Sequence, residues 1–184
     1  MSDAPQATSE RYPMAPLIRF TLIALYLALA APLPVLAPPS LVPLLWIALV
    51  LGLLLVVAAT SEQVELSAEG IRVGHPAWCR WLLRRGWQLS WPAIDGITPV
   101  TTSQGGRVHY LRQGERAYLL PQRIAGLEPF LARLGRETGL STAAIGRISP
   151  PWTYRLLALL CGVMLTAEAA IGSGLIRLPA SPIG

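Results

Sequence analysis

Residues 20–61, FTLIALYLALAAPLPVLAPPSLVPLLWIALVLGLLLVVAATS, form 42 consecutive positions without one Asp, Glu, Lys or Arg. The hydrocarbon core of a bilayer is about 30 Å thick and one helix crosses it with roughly 20 apolar residues, so the run has the length for two crossings. Inside it Pro32, Pro34, Pro38, Pro39 and Pro43 cluster around Ser40. Proline removes backbone donors and breaks helices, so the cluster predicts a tight hairpin. The first helix is expected over about 17–37 with a kink at Pro32. The second is expected over about 41–59, ending where Thr60, Ser61 and Glu62 restore polarity. A cleaved signal peptide, with Arg11 and Arg19 as its basic region, is the competing reading. A second apolar stretch follows at once and cleavage would have to fall among prolines, which favours a retained hairpin.

Composition points the same way. Hydrophobic residues make up 53% of the 184-residue chain and charged residues 14%, with a mean hydropathy of +0.49; an ordinary soluble domain carries about 25% charged residues. Beside the apolar segments there is room for one soluble domain of under about 100 residues, near the size at which a single core becomes marginal. All 15 basic residues are arginine, so lysine chemistry such as a Schiff base or a lysine-bearing phosphate loop is excluded. Cys79 and Cys161 fall in different segments, and no bridge between them is expected.

A third apolar segment follows Trp152, Tyr154 and Arg155, an aromatic and basic girdle suited to a membrane interface, and runs to Arg177. Arg11 and Arg19 precede the first helix, 11 arginines lie between the second helix and the girdle, the hairpin has none and the tail has only Arg177. By the positive-inside rule the N-terminus and the central domain are expected in the cytoplasm and the C-terminal tail outside. The expected organisation is a cytoplasmic tail over 1–16, a transmembrane hairpin over 17–60, a cytoplasmic domain over 61–140, a linker over 141–151, a third transmembrane helix over 152–177 and an external tail over 178–184. The expected membrane is a bacterial inner membrane, crossed several times.

Between Glu62 and Pro150 the pattern changes to short alternating runs. Val64 and Leu66, then Ile71 and Val73, have period two and flank Ala68-Glu69-Gly70, where glycine is expected to supply the positive φ of a tight turn. Further strands are predicted over 87–91, 94–100, 107–111 and 117–120, with turns at Gly105-Gly106 and Gln113-Gly114. A helix closes the domain: Leu127, Phe130, Leu131 and Leu134 recur at i, i+3, i+4 and i+7, Glu128 and Pro129 lie in its first turn, and Gly139 ends it.

These residues resemble the bacterial pleckstrin-homology-like membrane proteins, in which a transmembrane hairpin precedes a small β-domain capped by a C-terminal helix. The carriers are Leu66 with Gly70-Ile71, Trp91 with Ile94 and Ile97, Tyr118-Leu119-Leu120-Pro121, and the helix through Phe130 and Leu134. The resemblance covers about 62–138 and implies a small α+β pleckstrin-homology-like domain of antiparallel strands beside the three-helix anchor. The chain departs from that pattern in its third spanning helix and in having few strands for a full seven-stranded version. The stretch 98–125 is similar to that of small uncharacterised cyanobacterial membrane proteins, which implies a thylakoid membrane as the location.

Two features stand out chemically. In Trp78-Cys79-Arg80-Trp81-Leu82-Leu83-Arg84-Arg85-Gly86-Trp87, with Trp91 beyond, four of six tryptophans fall within 14 residues beside three arginines. Tryptophan favours the headgroup level, and arginine near an anionic leaflet contributes on the order of 1 kcal/mol. Trp78, Arg80, Trp81, Arg84, Arg85 and Trp87 are therefore candidate contacts to lipid or to a partner. The alternative is that the tryptophans fill a small β-core and the arginines form its solvated side. Nucleic-acid binding is not expected, because a basic cytoplasmic face is the rule for membrane proteins.

The second feature is Glu168, about 20 Å along the third helix from Arg155. An ionisable residue inside a bilayer is costly and marks a functional position by default. The alternative is a short or tilted helix whose Glu168 reaches the outer headgroups. Gly162, Thr166, Ala170 and Gly174 recur every four residues on the same helix and would permit close helix packing.

Catalytic constellations are sparse. His75 and His109 lack metal-site spacing, Asp95 sits in a turn before Gly96, and Gly172-Ser173-Gly174 lacks the setting of a phosphate loop. The expectation is a non-enzymatic membrane protein without cofactor or metal, presenting a binding module to membrane lipids or a membrane-protein partner as a scaffold or assembly factor. The alternative is a transport-related subunit that uses Glu168.

Overall fold

The computed structural model describes residues 9–83, 86–103, 105–147 and 150–173. In chain order the elements are β1 (Glu10–Pro13), α1 (Pro16–Ala30), α2 (Pro32–Leu36), α3 (Val42–Ala59), β2 (Gln63–Leu66), β3 (Gly70–Gly74) and β4 (Trp87–Ser90). There follow a 3₁₀ turn (Trp91–Ala93), β5 (Gly96–Thr101), β6 (Arg107–Gln113), β7 (Arg116–Leu119), α4 (Leu127–Thr138) and α5 (Pro151–Gly172). The chain divides into a β-rich head, residues 1–18 and 58–150, and a helical unit, residues 19–57 and 151–184.

In the helical unit three segments are long and apolar enough to cross a membrane: Pro16–Leu36, Val42–Ala59 and Pro151–Gly172. α3 is apolar on every face, and only 6% of its 18-residue span is buried. A helix that is hydrophobic all round and uncovered by protein is suited to lipid rather than water. The break expected at Pro32 separates α1 from α2, with Ala31 as the interruption. Hydrogen bonds tie the helices: the Tyr26 hydroxyl donates to the Leu49 carbonyl at 2.9 Å, and the Thr21 hydroxyl to the Tyr154 carbonyl at 3.4 Å.

The head contains two antiparallel sheets, ordered β1-β2-β3-β4 and β5-β6-β7. Six of these strands follow from the alternation of Val64, Leu66, Ile71, Val73, Leu89, Ile97, Leu111 and Tyr118, whose side chains pack in or against one core. α4 lays Leu127, Phe130, Leu131 and Leu134 into that core, as the spacing predicts. It stops where Gly139 takes the left-handed conformation (φ 70°), a position that suits glycine, and donates its N–H to the Gly135 carbonyl at 2.9 Å. The turns expected at Gly105-Gly106 and Gln113-Gly114 form, and the Asp95 carboxylate accepts the Gly114 N–H across the second.

Three expectations need correction. The N-terminal segment is not merely a tail: Glu10–Pro13 pairs with β2, Glu10 opposite Leu66 and Pro13 opposite Gln63, which completes seven strands among the described residues. Gly70 has no positive φ. It lies in β3, where a Cβ would run into the Leu89 carbonyl oxygen, so the missing side chain serves close approach of β4. The segment after α4 is also more than a linker, because Ile145 is buried in the core and the Gly146 carbonyl accepts a hydrogen bond from the Gln122 side chain at 2.6 Å.

β1 is fastened to α4 by polar contacts as well as by its ladder. Arg133 donates to Glu10 at 2.7 Å, the Tyr12 hydroxyl donates to the same carboxylate at 2.7 Å, and the Tyr12 ring meets Phe130 edge-on at 5.6 Å. The Tyr12 hydroxyl, with smaller help from Arg133, holds the Glu10 carboxyl below its ordinary range, and burial followed by the Glu10 hydrogen bond pushes the Tyr12 phenol up. A depressed carboxyl stabilises the fold above its unfolded pKa, and that contribution disappears as pH falls through the lowered folded value. Thermal unfolding of the head in Glu10→Gln is therefore expected to lie below that of the wild type near neutral pH. The gap should close on acidification through and below the carboxylate range; a gap independent of pH would contradict this linkage.

Candidate membrane-facing site

The four-stranded sheet has one face on the core and one face free. On the free face the register aligns Arg11, Glu65, Arg72 and Gln88, one from each strand, as direct cross-strand neighbours. Their positions follow from alternation: each lies between residues that point to the core, such as Val64 and Leu66 around Glu65, or Ile71 and Val73 around Arg72. Arg11 meets Glu65 at 3.0 Å, and the Gln63 amide donates to Glu65 at 3.2 Å.

The connection from β3 to β4 rises from one end of this sheet. Its backbone folds on itself through bonds from Cys79 and Arg80 to the Pro76 carbonyl, at 3.1 and 3.0 Å, and from Leu82 to the Cys79 carbonyl at 3.1 Å. Cys79 is buried beneath these turns. With their backbone bonds made locally, the large side chains point outward: Trp78 is 54% exposed, Trp81 81% and Leu82 50%. The Trp81 indole N–H donates to the Trp78 carbonyl at 2.9 Å, which holds the two rings on one short loop.

Between this loop and the free sheet face lies an open cleft of about 830 Å³. Its walls include Arg11, Glu65, Arg72, His75, Arg80 and Trp81, with Trp87 and Gln88 at the β4 side. Of the residues expected from sequence to make contacts, Trp78, Arg80 and Trp81 are exposed on the loop, and Arg80 and Trp81 line the cleft. Trp87 has two roles. It lines the cleft and also packs on the core, with its ring 5.3 Å from Tyr118. Arg84 and Arg85 lie outside the described residues. Trp91 belongs to the core and donates its indole N–H to the Ser67 carbonyl at 3.1 Å. The core-filling alternative therefore holds for Trp91 and in part for Trp87, and not for Trp78 or Trp81.

Arg11, Glu65, Arg72 and His75 were not among the contact residues expected from sequence. Their signal is the polar member of each alternating pair, and only the register gathers them at one place. Glu168 is half-buried on α5, and no hydrogen bond or ion pair to it is present among the described residues. Gly162 and Thr166 on the same helix are exposed, and Gly174 lies outside the described residues.

The sheet end that bears this loop is also the end at which the chain enters and leaves the apolar hairpin. Pro13, Gln63 and Gly74 are aligned there, with Gly86 beside Gly74. Two residues, Met14 and Ala15, join β1 to α1, and three, Thr60 to Glu62, join α3 to β2.

No protein-family model matches the chain, and no solved structure matches it. The chain is 42% identical over 167 residues to the uncharacterized protein slr0269 of Synechocystis sp. (strain ATCC 27184 / PCC 6803 / Kazusa), a match covering 87% of this chain and 84% of the relative. With that identity over most of both chains, the chain belongs to the family of this cyanobacterial protein.

Proposed function

We propose that the protein is a non-enzymatic membrane scaffold, in which three spanning helices hold a pleckstrin-homology-like head against the cytoplasmic face, where it binds a membrane-protein partner. The observation that carries this reading is the pairing of β1 with β2 across the apolar hairpin. Strands that share a ladder lie on one side of a bilayer, so the segment between them crosses an even number of times, which fits two spans. The head is thus joined to the apolar hairpin at two neighbouring strands, by connections of two and three residues.

Seven strands in sheets of four and three, closed by α4, support the pleckstrin-homology-like assignment. The arginine distribution supports the cytoplasmic side. The relative's source makes a thylakoid membrane a candidate location.

The test is purification of the tagged full chain in mild detergent from its native membrane. A membrane-protein partner in reproducible proportion is expected, retained by Glu168→Gln and lost when the head is unfolded. Protease added outside sealed cells should spare the head. A chain that emerges alone under every mild condition, or a substrate flux abolished by Glu168→Gln, would remove the scaffold reading.

A further inference from the structure

We infer that the cleft on the free face of the four-stranded sheet binds the phosphate of an anionic lipid headgroup through Arg11, Arg72 and Arg80. The lipid source rests on the membrane-anchored reading above, whereas the anion chemistry stands on the cleft itself. Three guanidinium groups line it against one carboxylate, that of Glu65. Glu65 is already engaged by Arg11 and Gln63. Arg72 and Arg80 have no carboxylate partner among the described residues. The cleft therefore holds uncompensated positive charge on side chains whose planar donor forks match phosphate oxygens. His75 lies on the same wall. A volume of about 830 Å³ admits a headgroup with its glycerol stem.

A soluble anion would need only the arginines. The site has a second component, the exposed Trp78, Trp81 and Leu82 on the connection that forms its roof. These side chains favour the boundary between headgroups and acyl chains. The loop springs from the sheet end at which the chain passes into and out of the apolar hairpin. An amphiphile offers an anion to the sheet face and an apolar stem to the tryptophans, and a lipid is the ligand with both.

The experiment uses the full chain in neutral detergent, titrated with dioctanoyl phosphatidylglycerol, dioctanoyl phosphatidylcholine, glycerol phosphate and inorganic phosphate, with calorimetry as readout. One phosphatidylglycerol per chain is expected, at least about tenfold tighter than phosphatidylcholine or either free phosphate. In R72Q/R80Q that affinity should fall roughly tenfold or more. Both side chains are exposed, so an unchanged unfolding temperature will certify the variant's fold. Equal binding by the double variant overturns the site. Free phosphate binding as tightly as the lipid overturns the lipid source, and phosphatidylcholine binding as tightly overturns the charge argument. Failure of the anchored reading shows separately, as release of the chain from membranes by an alkaline carbonate wash, and leaves the inorganic phosphate arm to judge the anion chemistry.

Discussion

Phe130→Ala is expected to lower the stability of the head severely while the three apolar helices are retained. Phe130 is fully buried at the centre of the core, between the ring of Tyr12 from β1 and the inner faces of both sheets. Truncating a buried phenylalanine removes its transfer free energy and leaves a cavity that a close-packed interior refills only in part, about 3–5 kcal/mol in comparable cores. A head of roughly this size has a total stability on the order of 5–15 kcal/mol, so the loss takes much of what holds it. For a domain of 60–100 residues each kcal/mol moves the melting temperature by about 4–8 °C, which places the expected drop above about 12 °C. Tryptophan fluorescence reads it directly, since Trp87 and Trp91 pack on the same core. Phe130→Leu, which keeps most of the volume, should cost about 1.5 kcal/mol or less. If alanine and leucine behave alike, Phe130 does not carry the packing assigned to it.

The parts of this molecule that a sequence discloses are those governed by local periodicity or by the thickness of a bilayer. The apolar spans are legible because length and hydropathy alone decide whether a helix suits lipid, and Pro32 announces its own break. α4 is legible from Leu127, Phe130, Leu131 and Leu134 because the helical period is stiff. β1 was hidden for a physical reason. Glu10-Arg11-Tyr12-Pro13 offers the core one aromatic side chain, ends in a proline that only an edge strand tolerates, and finds its partner some 50 residues later, beyond two long apolar segments. The cleft was hidden for a related one. Arg80 and Trp81 announce themselves by clustering, but Arg11 and Arg72 come from strands far apart in sequence. Only the ladders that place them in one row with Glu65 and Gln88 reveal a shared face. The exposure of Trp78 and Trp81, as opposed to the burial of Trp91, depends on the turns around Pro76 and Cys79, which tryptophan spacing does not encode.

Deleting residues 1–13 is expected to abolish folding of the head and, with it, binding in the cleft, although every apolar span remains. The deletion removes the β1–β2 ladder, the Tyr12 ring from Phe130 and the Glu10 partner of Arg133. It also takes away the Pro13 carbonyl, which accepts the Ala125 N–H at 2.8 Å just before α4. Arg133, whose side chain is only 16% exposed, would lose its carboxylate contact to Glu10 at 2.7 Å and keep only the longer one to Glu137 at 3.7 Å. Val64 and Leu66, buried completely in the intact sheet, would become the inner side of an uncovered edge. A mere tail would make the same deletion silent, so protease resistance of the head in isolated membranes separates the two outcomes. A second variant tests the pairing without deleting the strand. Arg11 and Glu65 are direct cross-strand partners, and antiparallel partners lie about 4.5–5.5 Å apart at Cα, within the reach of a disulfide. Arg11→Cys/Glu65→Cys should therefore cross-link on mild oxidation in native membranes, detectable by mass spectrometry of the digested chain. The bond would do more than verify a strand: two residues on either side of the apolar hairpin, joined by one disulfide, must lie on the same side of the bilayer, so the hairpin must begin and end there. If the cysteines stay apart while the head remains folded, the two-strand mount is wrong, and the even number of crossings derived from it is lost as well.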